Sequence, residues 1–440
     1  MKKFFFAFSI AGALLTQGYA FAQQADTVKL NTLQDVIAKA IKNNPTQAVY
    51  QQQIKQAQYN YKASKGFMYP NASGTFNGQD NLHLAVTPIP GILIGQPGTT
   101  YYAEFGKKYS YNAGVNLSEN IFDWSSIFQT SIAKSNIALT EIQQTSYIQS
   151  LKDQAAKLYF SILIGKASLK TNAQDLALAD SLVTLSKQRL QQGTTDALAV
   201  NQAMINYNNV LQNKAQSQQV YDQGVENLKI LLGEKVLTEL SFPENLSLDS
   251  IASISSINLG ADRSVDVYKQ QSELAIIQSK AQRAVAYPKI GLNGYFGGQQ
   301  FRNDIGLSLS NQQWTPYRYI GVSLNVPIFT GLTNTNKYRS ALAQQQIAEL
   351  QYNTAQQQSS INDRLLLKNY ADYTAMAKAS ANSYTLYRTN VMLNKQKYQE
   401  GIINMDTYLK AFEDYLRAEN THLSNLSTLL STQATILSRN

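Results

Sequence analysis

Side chains able to do chemistry are few in this chain, and they are scattered. There is no cysteine, which excludes disulfides, thiolate metal sites, a thiol nucleophile and a lipidated N-terminal Cys. The two histidines, His83 and His422, stand 339 residues apart. His83 falls in a loop, while His422 shares a seven-residue register with Tyr408, Tyr415 and Leu429, which makes it a packing position. Asp363, Asp372, Glu413 and Asp414 lie along long helical stretches without converging, as residues of a solvated or lumen-facing wall do. No GxGxxG, Walker lysine loop, GxSxG or HExxH occurs. The chain thus offers no catalytic, cofactor-binding or metal-binding constellation, and an enzyme is not expected. The net charge of +9 contains no Lys/Arg run longer than two and no basic aromatic stripe, so nucleic acid is not an expected partner either.

With so little chemistry, function must come from architecture. Met1-Lys2-Lys3, an apolar stretch from Phe4 to Leu15 and the small-x-small Ala20-Phe21-Ala22 read as a signal peptide over residues 1–22, cleaved before Gln23. The apolar stretch is shorter than the ~20 residues a spanning helix needs. Gln23 in place of Cys excludes lipidation, and the protein is expected to be exported.

The rest is written twice. Asn44–Pro70 aligns without gaps on Asp262–Pro288, sharing Val49/Val267, Tyr50/Tyr268, Gln53/Gln271, Lys62/Lys280 and Tyr69-Pro70/Tyr287-Pro288. Gly114–Phe122 matches Gly321–Phe329, and Lys187–Gly193 matches Lys395–Gly401, in the same order. A tandem duplication follows, with a first repeat over 23–232, a linker over 233–262 and a second repeat over 263–440. Each repeat reads helix, strand, loop, strand, very long helix, helix. Strands of period two are expected near 71–79 and 110–119, and again near 289–298 and 318–327. Tyr69, Tyr109, Phe122 and Trp124 crowd the strand ends in one repeat, and Tyr287, Trp314, Tyr317 and Phe329 in the other. Ten-residue alternating strands with aromatic ends suit a membrane barrel. Residues 80–108, with Pro88, Pro90 and Pro97, read as a surface loop.

Beyond the second strand of each repeat the period turns helical. Residues 124–191 carry no Pro and one Gly, and 68 residues make a rod of roughly 100 Å. Ile148, Ala155, Ile162, Leu169, Leu176, Val183 and Leu190 form a seven-residue register, and Leu409, Leu416, Leu423, Leu430 and Leu437 form another, both marking coiled-coil seams. Gly193 and Gly401 stand where one helix should turn into the next. Four membrane strands cannot close, and unsatisfied backbone in hydrocarbon costs several kcal/mol per group. Small barrels begin at about eight strands. Copies must therefore combine, and three would supply twelve strands around a helical tube.

The order of these segments resembles the TolC-type outer-membrane efflux protein family over nearly all of residues 28–438. The carriers are the duplicated Tyr-Pro, Val326-Pro327-Ile328-Phe329-Thr330-Gly331, Tyr398-x-x-Gly401 and the opening Leu33-x-x-Val36 run into Asn43-Asn44-Pro45. The resemblance implies a mostly α chain with a β-barrel portion, forming a homotrimer with a 12-strand barrel and a 12-helix periplasmic α-barrel. It also implies a passive exit duct of a tripartite efflux or type I secretion system, set in outer-membrane lipid. The partners would be a periplasmic adaptor and an inner-membrane pump or exporter. The aperture would lie at Gly193, Asp196, Ala199, Tyr398, Gly401, Asp406, Thr407 and Lys410. Ala199, Thr407 and Lys410 occupy positions where well-known members carry acidic residues, so an acidic gate does not carry over. Asp196 and Asp406 also suit helix N-caps. The rival reading is an exported coiled-coil adaptor or adhesin-like interaction protein, which would need no aromatic-flanked strands.

Overall fold

The computed structural model describes residues 27–243 and 259–440. The expected signal peptide and most of the linker lie outside the described residues. Thr32 caps the first helix, α1 (Leu33–Asn43), through a reciprocal capping box with Asp35. Pro45 opens α2 (Pro45–Ser64), because Pro needs no N–H at a helix start. Between them Asn44 turns the chain: its Oδ1 accepts from Thr46 N–H at 2.9 Å and its Nδ2 donates to the Leu231 carbonyl at 2.8 Å. A short parallel ladder, β1 (Thr27–Lys29) on β6 (Glu239–Ser241), closes over the same region. Leu30, Val36, Ala155, Phe160, Ile162 and Leu228 form its core.

Four strands make one antiparallel sheet in the order β2-β5-β7-β8, with β2 at Asn71–Asp80, β5 at Tyr109–Phe122, β7 at Lys289–Arg302 and β8 at Thr315–Asn325. The two repeats thus meet in the middle of the sheet. Its register separates the two faces. Ala72, Leu117, Gly294 and Ile320 form one cross-strand row, and Phe76, Ala113, Gly298 and Pro316 another on the same face. Rows of the opposite face are Ser73-Asn116-Tyr295-Tyr319 and Asn71-Ser118-Asn293-Gly321. One face is mostly apolar, with Arg318 the charge in its middle row Gly74-Val115-Phe296-Arg318, and the other is polar, as period-two alternation allows. On the polar face the Tyr295 ring leans over Gly114 and Gly297; a Cβ at Gly114 would come within 2.6 Å of it.

The segment expected as a plain loop after β2 contains a hairpin of its own, β3 (Ala85–Pro90) paired with β4 (Thr100–Phe105). Pro88 and Pro90 sit in β3, a strand of only two-stranded pairing, where a missing donor can be tolerated.

Asp123 starts the rod α3 (Trp124–Gln191), accepting from Ser125 and Ser126 N–H groups and pairing with Lys289 at 3.2 Å. The other helices are α4 (Ala197–Leu232), α5 (Arg263–Ala284), α6 (Thr333–Gln399) and α7 (Met405–Ser438). Near the sheet the packing order is α2-α3-α5-α6, and toward the far end it is α4-α3-α7-α6. First-repeat elements (β2, α2, α4) therefore form one border of the wall, and second-repeat elements (β8, α6) the other. Among the described residues no helix is long and apolar enough to cross a membrane.

The Leu/Ile registers coincide with the seams in part: Ala155 and Ile162 on α3 and Leu409 and Leu430 on α7 are buried, and elsewhere the buried stripe runs one position away. On α3 beyond Gly165 the buried positions are Ser168, Asn172, Asp175, Ala179, Leu182 and Ser186, while Leu169, Leu176 and Val183 are only half-buried. On α7 the buried positions include Tyr408, Phe412, Tyr415, Glu419, Leu426 and Leu429, a stripe whose seven-residue register also holds His422, with Leu409 and Leu430 buried beside it. A helix with neighbours on both sides buries small or polar residues at the close approaches and spreads its larger ones across the flanks. Gly224 shows the approach: a Cβ there would meet Ile162 at 2.9 Å.

Candidate functional site

The far end of the helical wall is two hairpin turns built alike. Gly193 (φ +69°) and Gly401 (φ +77°) take the left-handed conformation that ends a helix at low cost only in Gly. Gly193 N–H donates to the Leu190 carbonyl at 3.0 Å and Thr194 N–H to Arg189 at 2.9 Å. Gly401 N–H donates to Tyr398 at 3.1 Å and Ile402 N–H to Lys397 at 2.9 Å, the same paired closure. Restarting the helices differs. Asp196 caps α4, its Oδ1 accepting from Ala199 N–H at 2.9 Å. Asp406 is not a cap: Asn404 holds that position, accepting from Thr407 N–H at 3.0 Å and Oγ1 at 2.6 Å. Asp406 remains in the first turn of α7, where its charge favours the positive end of the helix.

The expected aperture residues divide into two sets. Ala199 and Tyr398 are buried together with Met405, Tyr408, Leu409 and Phe412 in one core that joins the two turns. Asp196, Asp406, Thr407 and Lys410 stay exposed around it. The Tyr398 ring stacks on Tyr408 at 5.6 Å, and its hydroxyl is buried with no hydrogen-bond partner among the described residues. Burial raises the Tyr408 phenol well above the ordinary tyrosine range, with Tyr398 adding to it.

Two features here escape sequence reasoning. Arg189, in the last turn of α3, lays its guanidinium over the Tyr398 ring at 3.9 Å and donates through Nη2 to the Tyr398 carbonyl. One side chain thereby ties the end of α3 to the end of α6. A Lys-Gln-Arg run before a glycine is the only signal of it. Farther up the same seam, Asp175 of α3 and Glu419 of α7 are 2 % and 4 % exposed, and the Tyr415 hydroxyl donates to Asp175 Oδ1 at 2.8 Å. Burial, reinforced by the Asp175 carboxylate, pushes Glu419 up to about 9; burial raises Asp175 too, against the opposing pulls of Glu419, Tyr415 and Arg388. Coiled-coil phase could have located both carboxylates, since each falls on a buried seam. His422 stacks on Tyr384 at 5.7 Å, as a packing residue does. Asp363 is half-buried and pairs with Arg439. Among the described residues no cluster of His, Cys, Asp and Glu could hold a metal ion.

Amphipathic strands feeding long, closely packed helices that end in paired turns define a tunnel wall. The sequence model of the outer membrane efflux proteins matches residues 36–234 and 256–438, and the chain belongs to that family. The TolC outer membrane protein of Vibrio cholerae is 22 % identical over 314 residues, covering 69 % of this chain and 68 % of the relative. The solvent efflux pump outer membrane protein SrpC of Pseudomonas putida is 22 % identical over 391 residues, covering 85 % and 77 %. Among solved structures, the CmeC outer membrane channel of Campylobacter jejuni superposes with a TM-score of 0.75 at 18 % identity, covering 92 % of this chain and 85 % of that one. The open MtrE channel of Neisseria gonorrhoeae gives 0.74 at 17 %, covering 92 % and 88 %. The fold is thus that of the outer-membrane channels: a helical tunnel with a β portion.

Proposed function

We propose that three copies of this chain close into an outer-membrane exit duct whose helical tunnel reaches into the periplasm and opens at the paired turns. The observation that carries the reading is the alignment of unpaired borders. Among the described residues the sheet leaves the outer edges of β2 and β8 unpaired. The helical wall ends on the same two repeats, with exposed Val49 and Tyr59 on α2, Leu198 and Leu211 on α4, and Leu350, Leu386 and Leu393 on α6. The first-repeat border of one copy against the second-repeat border of the next is a heterologous contact, which closes by rotation into a ring. Closure pairs every strand edge, as hydrocarbon demands. The apolar sheet face then meets lipid, and the polar face with Asn116, Asn293 and the tyrosines lines a water-filled lumen.

The aperture is assigned to the turns at Gly193 and Gly401, with Asp196, Asp406, Thr407 and Lys410 exposed where cargo enters and Ala199 and Tyr398 holding the turns from beneath. The duct is passive, and an inner-membrane pump or exporter with a periplasmic adaptor supplies cargo and energy. The relatives named for efflux support that partnership. The leader ends after Ala22. The first repeat covers 23–232, the linker 233–262 and the second repeat 263–440.

Reconstitution of the purified full-length protein in planar bilayers tests the reading. Ohmic, single-size current steps are expected. A protein that stays soluble without detergent and leaves bilayers silent would return the assignment to a periplasmic coiled-coil adaptor.

A further inference from the structure

The Asp175–Glu419 contact does not make sense as two carboxylates. Asp175 Oδ1 accepts from Tyr415, but Asp175 Oδ2 is buried and has no donor. An orphaned charged oxygen costs more than a neutral one, so the site must supply a proton or lose stability. Glu419 faces it from α7, within hydrogen-bonding reach and itself buried. Carboxylates this close cannot both ionise readily, and one proton between them satisfies the orphan. The remaining groups around the pair leave this need unmet. From α6, Tyr384 stacks on Tyr415 at 5.9 Å, and Arg388 pulls both carboxyls toward ionisation without donating to either. From α7, His422 engages Ser380 at 3.4 Å and the Tyr384 ring, and Tyr415 is already committed. A crevice of about 310 Å³ lined by Asp175, Tyr415, Arg388, Met392 and Lys395 gives water a route to the pair.

We infer that Asp175 and Glu419 form a proton-operated latch between the two helical hairpins, closed while one proton is shared across α3 and α7 and released when that proton leaves. The latch joins the α3/α4 hairpin to the α6/α7 hairpin, the only pieces between which the turns could separate. Its sign follows from the shift. Glu419 in the folded chain holds a proton that the unfolded chain gives up near the usual glutamate value of about 4.3. The stabilisation is therefore full below that value, shrinks as pH climbs, and is gone above about 9. Alkaline conditions loosen the hairpins, and acidic ones hold them together. That release widens the passage rests on the duct reading; the latch does not.

The experiment uses the full-length protein in bilayers, comparing the native sequence with Glu419→Gln and Asp175→Asn. Infrared spectra are taken on the same preparations. An amide donates permanently to the remaining carboxylate, so each variant should stay latched at every pH. The native protein should show the carbonyl band of a protonated buried carboxyl at neutral pH, and a conductance that rises as pH climbs through about 9. Both variants should lose the band and the rise. No such band in the native protein at neutral pH, or an unchanged rise in Glu419→Gln, would overturn the latch. Should one variant not fold, the other decides. Silent bilayers with the band present in the native protein and lost on substitution would sink the duct and leave the latch standing.

Discussion

Tyr398 contributes its ring and its carbonyl to the end of the wall, while its hydroxyl does nothing for it. The hydroxyl is buried without a partner, so removing it should cost little: Tyr398→Phe is expected to hold or gain up to about 1 kcal/mol. Tyr398→Ala empties the same core and removes the surface on which Arg189 and Tyr408 stack, a loss of roughly 3–5 kcal/mol. Chemical unfolding of the two variants checks the contrast, and equal losses would show that the hydroxyl has a partner in the assembled protein. Asp196 offers a second test at this scale. Asp196→Ala removes the oxygen that accepts from Ala199 N–H and should cost about 1 kcal/mol. Asp406→Ala, which removes only a first-turn charge, should cost a few tenths. The difference is read by the same unfolding curves.

The elements show where sequence reasoning succeeds and where it stops. Pro45, the paired Tyr-Pro and the two glycines mark helix ends by backbone chemistry that no packing can override, and alternation separated the two sheet faces before any register was known. The rods were legible as rods. Their phase was legible only in part, at Ala155, Ile162, Leu409 and Leu430, because a strict Leu/Ile count assumes one seam per helix, whereas α3 packs on α2, α4, α5 and α7. Beyond Gly165 small and polar residues such as Ser168, Asn172 and Ser186 occupy the tight seam, and the larger register residues Leu169, Leu176 and Val183 flank it. For the same reason nothing in the sequence singled out Asp175 and Glu419, which sit in that seam. The turns remain the elements most exposed to test. Proline cannot adopt φ +69° or +77° and lacks the N–H that both glycines donate. Gly193→Pro and Gly401→Pro should therefore impair efflux in cells far more than assembly of the trimer in the membrane. Normal efflux in both would remove the aperture from these turns.

At the scale of the whole molecule, one chain is an incomplete object. A sheet with two bare edges and a wall with apolar residues along both borders cannot persist alone in a bilayer, and the two defects are matched in order and side. Disrupting the match should therefore dissociate the assembly before it unfolds the chain. Leu386→Asp and Leu393→Asp on the exposed border of α6 should yield folded monomers by far-ultraviolet circular dichroism and gel filtration, while Leu182→Asp in the interior seam should not fold. The duct reading depends on closure. The detergent-corrected mass of the membrane-extracted mature chain, by sedimentation or light scattering, therefore tests the account most directly. Three chains per particle, resisting dissociation in mild detergent, is the result expected. A monomer or dimer that needs no detergent would leave the strands unable to close and would contradict the duct.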